Sequence, residues 1–319
     1  DDALDRDARI KLSIGTKRRG AADGQFYSPR GLVFDHHRGL LFVVDGYKSR
    51  MQAFSCDDGG LFVSKLGPKG QFQYLWGITI DHDHDRILIT DSGSDRIQSW
   101  ALSDQSLISC IGKFGSGDLE FNSPRGIAID KHHRRIIIAD TNNDRLVFLS
   151  SIDRSFLFEI TYQHGSQPRD LKYPLNIAID DDRHRIIATE REDHRVQVLS
   201  SIDGSFLFQF GSKGNQPGQF DKPRGICVAN QGRIIVADSG NYRLQAFTHE
   251  GHHISSFHCD RRPFGVAFDE HRGLIAFSAG HQVHVIGANQ WLADTKFVWR
   301  PDLHRYAPSW IKQAVSTMT

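Results

Sequence analysis

The stretch PRGICVANQGRIIVADSGNYRLQAF, residues 223–247, decides the architecture. Its first apolar run, residues 225–228, stops at the polar turn Asn230-Gln231-Gly232. A second run, residues 234–237, ends at Asp238 and the turn Ser239-Gly240-Asn241, and residues 244–247 and 253–257 make a third and a fourth. Short β-branched and aromatic runs punctuated by Gly, Asn and Asp predict strands joined by hairpins. The opening segment recurs as PRGLVFD from Pro29, LWGITID from Leu75, PRGIAID from Pro124, PLNIAID from Pro174 and PFGVAFD from Pro263. Successive third positions (Gly31, Gly77, Gly126, Asn176, Gly225, Gly265) are 46, 49, 50, 49 and 40 residues apart. Four strands repeated at that spacing predict propeller blades, each a small twisted sheet around a common axis.

The two ends of the repeat fit each other. Residues 9–15, RIKLSIG, resemble the fourth strand FLFQFG of residues 206–211, whereas the last unit supplies only three strands, residues 265–268, 274–277 and 282–286. The N-terminal strand therefore completes the last blade and removes two sheet edges. The expectation is an all-β, six-bladed β-propeller of four-stranded blades over residues 9–287, with residues 1–8 as a leader and 288–319 as a tail.

At PRGIAID…IIIADTNNDRLVFL (residues 124–149) and PRGICVA…IIVADSGNYRLQAF (residues 223–247) the chain resembles the NHL-repeat family, and the likeness runs over roughly residues 9–287. Blade 6 departs from it, since Ser278-Ala279-Gly280 lacks the Asp and Arg of its siblings. Blades 3 and 4 share LSSID-x-SFLF, as a late duplication would leave.

Composition narrows the function. The net charge of +1 recommends neither nucleic acid nor a membrane surface through a global field. Cys56, Cys110, Cys227 and Cys259 are scattered singly, with no metal-ligand or disulfide-framework spacing, which points to a reducing, cytoplasmic setting. No apolar run approaches the ~20 residues of a membrane span, and no signal peptide is present. The chain opens on Asp1-Asp2 instead of Met, so we expect part of a longer protein, monomeric as this fragment.

In an up-and-down blade the innermost strand is entered from a crossover, so the middle residue of Pro-Arg-Gly lines the channel mouth. In order these residues are Arg30, Trp76, Arg125, Leu175, Arg224 and Phe264. Two roles compete for the arginines. One pairs each with a carboxylate ending a nearby second strand (Asp45, Asp91, Asp140, Glu190, Asp238), because guanidinium and carboxylate fit bidentately. The other makes the mouth a binding platform, with Arg for anionic or carbonyl groups and Trp76 and Phe264 for stacking. Tyr47, Tyr242 and His194 share that face, and Asn176 is the one polar candidate on the inner strands. Lys17, Arg18, Arg19, Lys69, Arg169, Lys172, Lys213, Arg261 and Arg262 on the crossovers are opposed by Asp118, Glu120, Asp144, Glu192 and Asp193. Arg50, Arg96, Arg145, Arg195 and Arg243 each open a third strand and read as scaffold. Phe26, Phe72, Phe121, Leu171 and Phe220, three residues before the first five motifs, read as plugs between blades.

Seventeen histidines invite a metal hypothesis. Most fall in one-to-two turns (His36, His37, His82, His84, His132, His133, His184, His271), one group per blade. Turns on a ring rim diverge, which opposes a site needing nitrogens ~2.0–2.1 Å from an ion, so no metal and no cofactor are expected. The resemblance brings propeller hydrolases and a metal-dependent amidating lyase with channel-facing histidines as comparisons. The inner strands GLVF, GITI, GIAI, NIAI, GICV and GVAF offer no such groups, and no nucleophile elbow, phosphate loop or dinucleotide fingerprint is present. Catalysis by this domain is not expected.

The tail carries Trp291, Phe297, Trp299, Tyr306 and Trp310, with a short helix expected from Pro308 whose apolar stripe is Trp310, Ile311, Ala314, Val315 and Met318. It would pack on the propeller or dock a partner. The whole reads as a non-catalytic interaction domain binding a protein or peptide on the crossover face. By resemblance it would recruit substrates within a larger ubiquitin ligase or regulatory protein. Single-stranded RNA binding on the same face, known in TRIM-NHL proteins, is the alternative.

Overall fold

The computed structural model describes residues 10–67, 70–161 and 171–291. Lys69, Arg169, the leader and the tail beyond Trp291, with its expected helix, lie outside the described residues.

Six four-stranded antiparallel sheets surround one axis. Their innermost strands are Pro29–Asp35, Leu75–Asp81, Pro124–Asp130, Pro174–Asp180, Pro223–Ala229 and Pro263–Asp269. The sixth sheet runs Pro263–Asp269, Leu274–Ala279, Gln282–Gly287 and then the N-terminal strand Ile10–Gly15, in register Ile14↔Val283 and Gly15↔Gln282. The ring is thus closed by the strand that the sequence leaves over.

Alternation along the strands sends side chains into both gaps beside each blade, and six hydrophobic clusters result, one between each pair of neighbours. Phe26, Phe121 and Phe220 are fully buried, and Phe72 and Leu171 nearly so, as plugs between blades should be. All four cysteines are free. Among the described residues no helix is long and apolar enough to cross a membrane.

One irregularity positions the candidate site. Each innermost strand shifts register just after its first residue: Pro29 opposes Asp45 but Leu32 opposes Val43, and Pro124 opposes Asp140 but Ile127 opposes Ile138. An extra residue on one strand is a β-bulge, which bends the strand and re-aims a side chain. Here it falls on the Arg-Gly pair and swings the arginine out of the ladder toward the axis. The glycine is required by the neighbouring blade's approach. A Cβ on Gly265 would sit 2.1 Å from the Arg30 carbonyl oxygen, and one on Gly77 would sit 2.3 Å from that of Arg125.

Candidate functional site

The bulges gather five of the six middle residues into one alternating run. The Arg224 guanidinium lies 4.3 Å from the centre of the Phe264 ring, and Arg30 lies between Phe264 (4.2 Å) and Trp76 (4.7 Å). Arg125 covers Trp76 at 4.5 Å and approaches Tyr173 at 5.1 Å. Leu175 is buried. Five blades therefore deliver three cations and two aromatic rings to the channel mouth, each cation held on a π face.

The expected carboxylate pairing of these arginines is overturned. Asp140 accepts the Arg145 Nε–H at 2.7 Å and the Asn122 N–H at 2.7 Å, and Asp238 accepts the Arg243 Nε–H at 2.7 Å and the Asp221 N–H at 2.7 Å. Asp91 and Glu190 likewise serve Arg96 and Arg195, and Asp45 lies 3.7 Å from Arg50. The reason is register, since Asp45, Asp91, Asp140, Glu190 and Asp238 stand directly across the ladder from the arginine opening the third strand. That arginine also binds crossover carbonyls: Arg145 donates to those of Ser116, Gly117 and Glu120. The scaffold role expected of this second set is what the geometry gives.

Among the described residues Arg30, Arg125 and Arg224 have no carboxylate partner. Arg30 donates one bond, 2.8 Å to the Tyr74 hydroxyl, while its Nε and Nη1 are buried and unbonded, as is Arg224 Nε. Burial lowers the affinity of all three for their protons. In Arg224 burial together with Arg30, Arg191 and Arg125 brings the pKa down to about 9. The groups remain cationic at neutral pH, but are largely desolvated and mutually repelling, and Arg30 and Arg224 are short of acceptors.

Three hydroxyls hold this arrangement. Thr90 Oγ1 donates to the Arg125 carbonyl (2.6 Å), Thr189 Oγ1 to that of Arg224 (2.7 Å) and Ser278 Oγ to that of Arg30 (2.9 Å). Each belongs to the blade preceding its arginine. The sequence carries the signal as an alternation before the strand-ending residue: Thr90, Thr189 and Ser278 in blades 2, 4 and 6 against Val44, Ala139 and Ala237 in blades 1, 3 and 5. Ser278 explains what blade 6 retains after losing the Asp and Arg.

The remaining candidates separate. Tyr47 is exposed and extends the ring outward, its ring 5.5 Å from Tyr27 and 5.2 Å from Tyr74, which in turn lies 6.0 Å from Trp76. A stripe of four aromatic rings thus leads from the rim to the mouth. Tyr27, Tyr74 and Tyr173 stand one or two residues before the motif, where the sequence follows no repeat. Tyr242 sits at the rim, its hydroxyl accepting from Arg262 Nε at 3.2 Å. Asn176 lies deeper, on the channel wall, with its Oδ1 accepting the Ile177 N–H at 2.9 Å. His194 is buried, its Nδ1 accepting the Lys222 N–H at 3.1 Å. The channel below the mouth is walled mainly by apolar residues such as Ile127, Ile177, Ile226 and Val266.

At the opposite mouth the expected divergence of the histidine turns fails. His36 and His37 from blade 1 meet His82 from blade 2, with ring centres 4.0–5.2 Å apart, and His271 from blade 6 packs on His36 at 4.4 Å. These turns follow the innermost strands, which line the channel, so their ends converge on the axis.

Comparison with known proteins fits this architecture. The family model for the NHL repeat matches residues 220–247, in blade 5. The chain is 50% identical over 43 residues to E3 ubiquitin-protein ligase TRIM32 of Homo sapiens, covering 14% of this chain and 7% of that protein. It is 48% identical over 46 residues to protein lin-41 of Caenorhabditis elegans, covering 14% and 4%. The match thus spans less than a tenth of either relative. Among solved structures, a structural genomics protein of unknown function from Bacteroides thetaiotaomicron superposes with a TM-score of 0.65 at 15% identity, over 87% of this chain and 74% of that one. Virginiamycin B lyase from Staphylococcus aureus does so at 0.59 and 14%, over 86% and 98%. At such identities the likeness concerns the fold alone. The matched repeat in blade 5, the matching segments of the relatives and the six closed blades identify a six-bladed β-propeller that carries the NHL repeat.

Proposed function

We propose that this propeller is a non-catalytic interaction domain that captures a protein segment on its crossover face, seating an acidic side chain of that segment in the mouth among Arg30, Arg125 and Arg224. The observation that carries the reading is the set of three largely desolvated guanidiniums with no carboxylate among the described residues, two of which, Arg30 and Arg224, keep buried N–H groups without acceptors. Buried polar groups left unpaired cost about 1–3 kcal/mol each, and a carboxylate entering the mouth would satisfy them with charge-assisted bonds. Trp76, Phe264, Tyr74 and Tyr47 supply the aromatic area on which flanking side chains would rest.

A phosphodiester chain is the weaker fit. RNA is held by a run of exposed cations tracking its backbone, whereas cations here are recessed at one point and the crossover residues around them mix both signs. By likeness to E3 ubiquitin-protein ligase TRIM32 we read the captured segment as a substrate, recruited in the cytoplasm for a catalytic module elsewhere in a longer protein, with this propeller acting as a monomer.

Selection of a displayed random peptide library on the propeller tests this reading. Enriched peptides should carry Asp or Glu beside an apolar or aromatic residue and lose binding to an Arg30→Met/Arg125→Met/Arg224→Met variant. Enrichment that ignores acidic residues, or that survives in the variant, would sink it.

A further inference from the structure

The cluster at the far mouth of the channel is independent of that reading. His36, His37 and His82 each place a ring nitrogen within 4.8 Å of the other two, and among the described residues none of these nitrogens is engaged by a hydrogen bond. Two other turn histidines differ. His84 Nδ1 lies 2.9 Å from Asp81 and His133 Nδ1 lies 2.8 Å from Asp130, so their rings serve the local turn. Backbone bonds hold the cluster in place instead, with the N–H groups of His37 and Arg38 donating to Asp35 and those of His271 and Arg272 to Asp269.

We propose that His36, His37 and His82 form a binding site for a divalent transition-metal ion of the zinc class, with the fourth position taken by water. Nitrogens bound to one zinc at 2.0–2.1 Å in a tetrahedron are about 3.4 Å apart. Nitrogens within 4.8 Å reach that spacing by side-chain rotation of partly exposed turn residues, without moving a strand. Imidazole donors suit zinc, copper or nickel and not calcium or magnesium, which take oxygen. Across the mouth, Asp269 and Glu270 offer negative charge that offsets Lys131. A bound ion would join blade 1 to blade 2 at the far mouth of the channel.

Calorimetric titration of the whole chain with Zn2+, with Co2+ absorption as a readout of geometry, decides the matter. One equivalent should bind with a tetrahedral cobalt spectrum, and His36→Ala and His82→Gln should each weaken binding at least about tenfold. His132→Ala, in the other histidine cluster, should leave binding unchanged. Thermal unfolding in chelator should match wild type in every variant, separating lost ligands from lost fold. Absence of stoichiometric binding, or equal affinity in the His82→Gln and His132→Ala variants, would overturn the site.

Discussion

Replacing Arg30 by Met separates binding from stability, because the two should move in opposite directions. Arg30 is 8% exposed. Its unbonded Nε and Nη1 together cost about 2–6 kcal/mol, and a desolvated cation without a carboxylate costs several more. Against this stand the faces of Trp76 and Phe264, worth about 1–2 kcal/mol each when dry, and the bond to the Tyr74 hydroxyl, about 1.5–3 kcal/mol. Costs exceed gains by roughly 1–3 kcal/mol. Met fills a similar volume and keeps sulfur–ring contacts. Arg30→Met should therefore raise the free energy of urea unfolding by about 1–3 kcal/mol, and it should abolish peptide capture. Polyvalent anions such as citrate should stabilise wild type more than the variant, the difference isolating specific anion binding from general exclusion effects. If Arg30→Met instead lost 1 kcal/mol or more, the guanidinium would be a structural element and the case for an unfilled anion site would fall.

The scaffold arginines should behave in the opposite sense: Arg145→Ala strands buried Asp140 and three crossover carbonyls, and equilibrium unfolding should show a loss of about 3–5 kcal/mol. Thr90→Val removes a hydroxyl that accepts the Gly77 N–H at 2.7 Å and donates to Arg125. It should cost about 1–3 kcal/mol and weaken peptide capture beyond what an equally destabilising core variant does. In Gly265→Ala the new methyl meets the Arg30 carbonyl, so a loss of about 1–3 kcal/mol is expected in the same assay. For His36 the folded pKa of about 4 lies below its ordinary 6.5, so the unfolded chain binds the proton more readily. Its contribution is intact above pH 6.5 and fades as pH falls toward 4. Stability measured across that window should drop by roughly 1–2 kcal/mol more in wild type than in His36→Asn, after allowance for partial exposure.

The blade count and ring closure were legible because a repeat is read from many positions at once, and residues 9–15 had one vacant place to fill. The mouth residues were legible for the same reason, since Arg30, Trp76, Arg125, Arg224 and Phe264 occupy one position of the motif. Their partners were not. In blades 1, 3 and 5 two arginines compete for a single carboxylate, and only the pairing of Asp140 directly opposite Arg145, with the bulge at Arg125-Gly126, resolves the contest. Tyr74 and Tyr173 depend on loop paths that no period marks. The histidine cluster depends on where the one-to-two turns end in space: they surround the axis because the strands feeding them do.

The most direct test of the central claim is fluorescence anisotropy of a selected acidic peptide and of a random single-stranded RNA pool, each at 50 and 200 mM salt (about a two-fold change in Debye length), against wild type and the Arg30→Met/Arg125→Met/Arg224→Met variant. The account predicts peptide binding that survives the higher salt and is lost in the variant, with RNA binding weak and indifferent to the substitutions. Tight RNA binding that falls steeply with salt and disappears in the variant, with no peptide bound, would contradict it.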